Sequence, residues 1–343
     1  MQQLLGIQWR VFRLILIVFV ITEASFVLMR FVKGYKHSSI TNLATSFYAL
    51  FVILLLLESG FMFVSQSHGG FMSLSSKIWL NKYWKPINSF GYRDDEPKTG
   101  SSCVLFVGDS YTEGHGINHV SERFSNQVKA LINSNNSALD VINLGRCGSN
   151  TSDEFLRMKS MIDQLKLKPK AIVLQYCFKD IEDQAFSHGL KLNRPALYSN
   201  VPSFTIPLLK NSFLLDYIYW GIRGPSHYIE FLEQAYQTKA IREGHFKELD
   251  LFVNYCDSSS IELIPVIIPF MEDLKMSEEL FVEPLRLHFE SLGIEIINVS
   301  DLVSDMPFKE RIVNNSDRHA SVKVNKKMAV AIEARLQQQL NLH

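Results

Sequence analysis

Apolar positions are distributed in two regimes along the chain. Before about residue 66 they form long unbroken runs, and after about residue 100 they form short runs separated by polar, turn-forming clusters. Between Arg13 and Arg30 runs LILIVFVITEASFVLM. As a helix it rises ~24 Å, short of the ~30 Å hydrocarbon core, and flanking apolar residues with snorkelling arginines supply the missing turn. From Leu43 to Val64 runs LATSFYALFVILLLLESGFMFV, long enough to span unaided and broken by a single charge. The pattern predicts helices over 11–32 and 43–64 forming a transmembrane hairpin, with residues 1–66 as an anchor. A cleaved signal peptide fits less well, because no small-x-small site follows the first run and a second apolar segment does.

An even number of spans puts both chain ends on one side of the membrane. Arg30, Lys33 and Lys36 in the short connection hold it in the cytoplasm and place the C-terminal domain outside. Arg10 and Arg13 before the hairpin, with Lys77, Lys82 and Lys85 after it, pull the other way. The expectation is a multi-pass membrane protein with an extracytoplasmic domain. Glu23 and Glu58 are costly in lipid and are expected to face the helix pair or to be protonated.

After a linker over 67–100, rich in Ser, Gly, Lys and Trp, strand and helix patterns alternate through 101–343. CVLFVGDS reads as a buried parallel strand ending in a turn, and SERFSNQVKALINS as a helix capped by Ser121. The strand LDVINLG precedes the helix TSDEFLRMKSMIDQLKL, whose Asp153 and Glu154 suit a first turn. AIVLQYC, IELIPVIIP and IEIINV continue the strands, and MAVAIEARLQQQL closes with a helix. This βαβ series predicts an α/β fold with a mostly parallel sheet, helices on both faces and ligands at the carboxyl ends of the strands. The aromatic stretch 186–240 fits least and reads as an insertion at the active-site edge, packed on the domain or lying at the membrane surface.

Composition sharpens this division. The 343 residues are 47% hydrophobic and 20% charged, with 35 basic and 35 acidic side chains. Residues 1–66 carry only Arg10, Arg13, Arg30, Lys33, Lys36, Glu23 and Glu58, so the net zero is +3 against −3. Neither part has the basic excess that nucleic-acid binding needs, so no nucleic-acid partner is expected. Cys103, Cys147, Cys177 and Cys256 show no CxxC pair and no metal-ligand spacing. No metal and no cofactor is expected.

Chemistry collects at four strand ends. Gly108-Asp109-Ser110 follows the first strand, where a serine leaving a strand at a sharp turn exposes its hydroxyl as a nucleophile should. NLGRCGSN follows the second, where Gly148 lets a backbone amide approach a developing oxyanion. QYCFKDIED puts Lys179 and Asp180 at the end of the third. Asp317-Arg318-His319 stands before the last helix, where His319 can reach Ser110 as general base and Asp317 can fix its tautomer. Each block alone is ordinary turn chemistry; their order is not.

This order, with the lead-in INSFGYRDDEP, resembles the SGNH (GDSL) family of serine esterases and lipases, in its membrane-anchored bacterial form, over about Asn88 to Leu340. The resemblance implies a flavodoxin-like three-layer α/β/α domain and a catalytic triad of Ser110, His319 and Asp317. It also implies an oxyanion hole from the amides of Ser110 and Gly148 plus an asparagine side chain, with Gly108, Asp109, Asn143 and Asp180 as supporting residues. The chain departs from the family at Lys179, which stands where that asparagine belongs. It departs again in the single residue between Asp317 and His319, and in Ala320, where a proline often follows the histidine. The activity implied is hydrolysis of an acyl ester, from a lipid or an acylated glycan, by a membrane protein. Two alternatives stand beside it: O-acyl transfer to a surface polysaccharide, and a scaffold silenced by Lys179.

Overall fold

The computed structural model describes residues 2–340 apart from 32–38, 71, 135–138, 193–196, 199–200 and 223–227. These residues fall into two compact units: Met1–Lys82 with Ala196–Gly224, and Tyr83–Pro195 with Pro225–His343.

In the first unit, helices α1 (Gln2–Phe31) and α2 (Ser39–Phe61) run antiparallel. Gln8 Nε2 donates to the Met62 carbonyl at 3.0 Å near one end. Tyr48 Oη donates to the Glu23 carboxylate further along, with the Tyr48 and Phe26 rings stacked at 4.6 Å. Glu23 therefore faces its neighbouring helix, as expected of a carboxylate in an apolar run. Among the described residues one helix, not the two expected, is long and apolar enough to cross a membrane: Gly6–Leu28, 23 residues. This segment includes Arg10 and Arg13: Arg10 Nε donates to the Gly6 carbonyl at 3.2 Å, and the Arg13 guanidinium lies over the Trp9 ring at 5.5 Å. The second apolar segment is shorter, Thr45–Phe61. The chain turns immediately after it, with Phe63 N–H on the Gly60 carbonyl and Val64 N–H on that of Phe61. The connection bearing Lys33 and Lys36 lies outside the described residues, as does the Arg30 side chain.

Glu58 has a structural task. Its carboxylate accepts from Ser212 Oγ at 2.7 Å and from the backbone N–H groups of Phe213 at 2.6 Å and Leu214 at 3.2 Å. It thereby satisfies the free donors that begin the helix Phe213–Ile222. Asp216 in that helix accepts from the Leu74 amide at 2.7 Å, at the start of helix α3 (Leu74–Tyr83). Val11, Met62, Leu74 and Phe213 form this unit's buried cluster. The central part of the aromatic stretch thus belongs to the N-terminal unit, and the stretch taken for a linker contains a helix.

The second unit is built on a five-stranded parallel sheet: β1 (Ser102–Val107), β2 (Asp140–Asn143), β3 (Lys168–Cys177), β4 (Glu262–Ile268) and β5 (Ile297–Asn298). Its order is β2-β1-β3-β4-β5, the flavodoxin-like arrangement, with all pairs parallel. Strand β1 shows why the apolar runs are unbroken: Cys103, Leu105 and Val107 enter one core, Val104 and Phe106 the other. The first core is completed by Met158 and Ile162 of the helix Thr151–Leu165 and by Phe252 of Lys239–Ser259. The second is completed by Val128 of Phe124–Ser134 and by Met328 and Ile332 of Val322–Leu340. Strand β5 is shorter than its apolar pattern, and it pairs with β4 only from Val266 on, past Pro265, whose nitrogen donates no ladder bond. Before the last helix, β6 (Ile312–Asn314) and β7 (Asp317–Ala320) form a small antiparallel pair that the sequence did not announce.

Candidate active site

The order of strands reverses between β1 and β3, and the chain leaves both there with polar groups, at the position where open α/β sheets bind ligands. After β1 comes the four-residue helix Ser110–Glu113. Asp109 caps it, accepting from the Tyr111 N–H at 2.9 Å, while its own N–H donates to Gln175 Oε1 at 3.1 Å. A Cβ on Gly108 would lie 2.4 Å from Thr112 Oγ1, so this turn closes only around a glycine.

Residues 110 and 319 meet across this edge. His319 Nε2 is 2.8 Å from Ser110 Oγ, and His319 Nδ1 is 2.5 Å from Asp317 Oδ1. Asp317 and His319 are alternate residues of β7, so their side chains share one face. The carboxylate is fully buried and the imidazole 18% exposed. A carboxylate at Nδ1 fixes the proton there and leaves the Nε2 lone pair facing the serine hydroxyl. The single residue between Asp317 and His319 is thus compatible with the contact, because a strand supplies the spacing.

The remaining expected residues are placed as follows. Asn143, at the end of β2, donates through Nδ2 to the Thr112 carbonyl and to Ser125 Oγ, both at 2.7 Å, and its Oδ1 accepts from Gly145 N–H at 2.9 Å. It ties the β2 turn to the serine helix. Gly148 lies exposed in that turn with φ +77°, a backbone state that favours glycine. Among the described residues, no acceptor meets the N–H of Gly148 or of Ser110. Asp180 Oδ2 accepts from the Cys177 N–H at 2.8 Å and closes the turn after β3. Lys179 is engaged twice: Nζ is 2.9 Å from Asp109 Oδ2 and 2.8 Å from the Ser149 carbonyl. Burial acts to raise the Asp109 carboxyl, but the Lys179 ammonium and the Tyr111 amide outweigh it and hold the group below the usual range. Burial acts to lower Lys179, and the Asp109 carboxylate outweighs it, so the ammonium holds its proton more tightly than a free lysine.

Five supporting residues escaped sequence reasoning. Arg93 and Arg123 are buried and donate into the segment around Ser110: Arg93 to the carbonyls of Gly114 at 2.6 Å and Ile117 at 2.8 Å, Arg123 to that of Glu113 at 3.2 Å and to Asp94 Oδ1 at 3.1 Å. Asp94 in turn accepts from the Asn143 N–H at 2.9 Å. His115 and Gln175 also face the site. Arg93 and Asp94 lie within the lead-in INSFGYRDDEP, where two adjacent charges before an apolar strand were the available signal.

Among the described residues, two groups bring possible metal ligands within 4.8 Å of one another: His115, Asp317 and His319, and Asp109, Cys177 and Asp180. Neither suits a cation. His319 turns its two nitrogens to Ser110 and Asp317, Lys179 neutralises Asp109, and burial keeps the Cys177 thiol protonated.

No protein-family model and no curated protein matches the chain. Among solved structures, it is similar to a psychrotrophic esterase, EstA, from a Pseudoalteromonas species, inhibited by monoethylphosphonate, at 13% identity and TM-score 0.42, over 70% of this chain and 99% of that one. It is similar to a lipase/acylhydrolase from Enterococcus faecalis at 14% identity and TM-score 0.43, over 70% and 96%. A member of the lipolytic G-D-S-L family from Veillonella parvula follows at 14% identity and TM-score 0.39, over 68% and 97%.

Proposed function

We propose that the chain is a serine ester hydrolase of the SGNH (GDSL) type, tethered to a membrane by α1. One observation carries this: Ser110 Oγ, His319 and Asp317 Oδ1 stand in line at 2.8 and 2.5 Å at the switch point of a parallel sheet, although the serine and histidine are 209 positions apart. A hydroxyl, an imidazole and a buried carboxylate in that order perform acyl transfer without a cofactor.

In the first half-reaction His319 Nε2 takes the Ser110 proton as Oγ attacks the ester carbonyl. The amides of Ser110 and Gly148 receive the developing oxyanion. The tetrahedral adduct collapses, and His319 returns the proton to the departing alkoxide, so an alcohol leaves and an acyl-Ser110 remains. Water, deprotonated by the same nitrogen, releases the acid and restores the serine. Lys179 spends two of its three N–H donors on Asp109 and Ser149, so it acts chiefly by stabilising the turns that hold those amides.

The test is covalent labelling of the detergent-solubilised full chain by a fluorophosphonate. Ser110→Ala abolishes labelling in this reading, and His319→Ala slows it by at least ~10³-fold, as loss of the base does in other triads. Labelling that survives Ser110→Ala would sink the assignment of the nucleophile. Absence of labelling in a folded wild-type chain would sink the hydrolase reading and leave the scaffold.

A further inference from the structure

The relay described above leaves one buried histidine unused. His115 is 2% exposed and its ring stacks on that of His319, with centroids 4.5 Å apart and planes 26° apart. Its Nε2 is 3.4 Å from Asp317 Oδ2, the carboxylate oxygen that His319 Nδ1 does not use. Its Nδ1 is 3.7 Å from Cys147 Sγ, one residue before Gly148.

The chain is shaped to put His115 there. Arg93 grips the carbonyls of Gly114 and Ile117 on either side of it and lies over the Trp84 ring at 4.6 Å, and the Trp84 ring meets that of His115 edge-on at 6.1 Å. Gly116 has φ +83°, and a Cβ on it would lie 2.8 Å from Asp317 Oδ2 and 2.6 Å from Val313. Only a glycine lets this segment come so close to the carboxylate.

A fully buried carboxylate needs donors on both oxygens, because an unsolvated lone pair in a low-dielectric site is costly. The strand register of β7 gives Oδ1 to His319, through Nδ1 at 2.5 Å and the backbone N–H at 3.2 Å. Oδ2 is turned toward His115. We propose that His115 is a positioning residue of this site. As its neutral Nε2–H tautomer it makes a long polar contact with Asp317 Oδ2 at 3.4 Å, holds the carboxylate between two imidazoles, and links it through Cys147 to the turn bearing the Gly148 amide. The role rests on the serine hydrolase reading.

The arrangement has an electrostatic consequence. A donor on Oδ2 draws charge from Oδ1, so Asp317 stabilises the His319 imidazolium less than a carboxylate with a single partner would. Among the described residues, the titratable and charged groups against His115 include Asp317 and His319 from β7, Cys147 from the β2 turn, and Arg93 through the Gly114 carbonyl. Glu113 stands behind Cys147 and accepts its N–H at 2.5 Å.

His115→Phe keeps the stacked ring and removes the donor, whereas His115→Gln keeps an N–H at similar reach and removes the ring. Two readouts on the full chain in detergent decide the role: the pH dependence of fluorophosphonate capture by Ser110, and the NMR titration of the His319 C2 proton, which needs no turnover. In His115→Phe, capture at the plateau falls about ten- to a hundredfold, as when a group orienting a functional histidine is lost. Its acid limb and the His319 titration move together to higher pH, while His115→Gln keeps the wild-type limb and most of the rate. A merely structural role lowers the amplitude without moving either titration. An unchanged limb and titration in a folded His115→Phe overturns the proposal. If that variant does not fold, a displaced limb in His115→Gln does so. Absence of Ser110-dependent capture in wild type overturns the hydrolase reading instead, and the His319 titration still decides whether His115 acts on Asp317.

Discussion

Lys179 Nζ lies 2.9 Å from Asp109 Oδ2, and the same oxygen is 3.3 Å from Ser110 Oγ. The cation that stands where the resemblance implies an asparagine is thus the counter-ion of the residue next to Ser110. Asp109 is fully buried and Lys179 only 18% exposed, so this pair is shielded from screening by water. Removing one member leaves a buried charge without its partner, a change that costs about 3–5 kcal/mol. Lys179→Ala is expected to lose about that much stability, read as a lower melting temperature of the detergent-solubilised chain. Lys179→Asn, which places there the asparagine that the resemblance implies but not the charge, loses part of it and does not speed fluorophosphonate capture. A large rate gain in Lys179→Asn would show that the lysine impairs the oxyanion hole.

Behind this pair lie two carboxyls that behave oppositely to Asp109. Glu154 and Asp180 are both raised well above the ordinary carboxylate range, by burial first and then by neighbouring negative charge. Glu154 Oε1 and Asp180 Oδ1 meet no hydrogen-bond donor among the described residues. A carboxyl whose folded pKa is raised binds its proton more tightly folded than unfolded. Its contribution is fully present below the unfolded value, ~4, and is lost as pH rises toward the folded one. Asp109, depressed, behaves oppositely and loses its contribution only in strong acid. The wild-type melting temperature is therefore expected to fall as pH rises above ~4, and Glu154→Gln, with no proton to lose, flattens that fall. Parallel melting curves for the two proteins would count against a neutral Glu154.

The sheet was legible because each parallel strand is buried on both faces and reads as a solid apolar run. Ser110, Asp317 and His319 were legible because turn residues at strand ends are chemically conspicuous. His115, Arg93 and Arg123 were not, because their task exists only once the Gly114–Ile117 segment is folded against β7. A lone histidine between two glycines carries no periodicity. The hairpin β6–β7 was missed for a related reason: at three and four residues its strands are too short to show alternation. In the N-terminal unit, hydropathy marked α1 and α2 but not the acceptor role of Glu58, which depends on a segment 154 positions away.

That acceptor role is testable by itself. Glu58 takes three hydrogen bonds from Ser212, Phe213 and Leu214, at the positive end of the helix dipole. Loss of an N-terminal acceptor costs about 1 kcal/mol in most helices. Glu58→Ala is expected to raise amide hydrogen exchange across Phe213–Ile222, while Glu58→Gln, which retains an acceptor, raises it less. Exchange in β1 and β3 stays unchanged in both. Equal exchange in all three proteins would show that the contact contributes nothing.

Arg93 offers the most direct check on how the site is braced. Its two terminal nitrogens reach the carbonyls of Gly114, Ile117 and Tyr83, a spread that a planar guanidinium covers and a single ammonium does not. Burial first, and then Arg123 nearby, lower it to about 10, which leaves it charged at neutral pH. Arg93→Lys keeps the charge and strands at least one buried carbonyl, a loss of about 1–3 kcal/mol. The segment carrying His115 then loses one of its two grips, so ester hydrolysis is expected to fall in kcat with KM for a small ester held within about twofold, the pattern of a lost transition-state interaction. If Arg93 acts through His115, the effects of Arg93→Lys and His115→Phe on kcat do not add. The double variant is then little slower than His115→Phe alone. Full additivity would separate the two residues and leave Arg93 a purely architectural part.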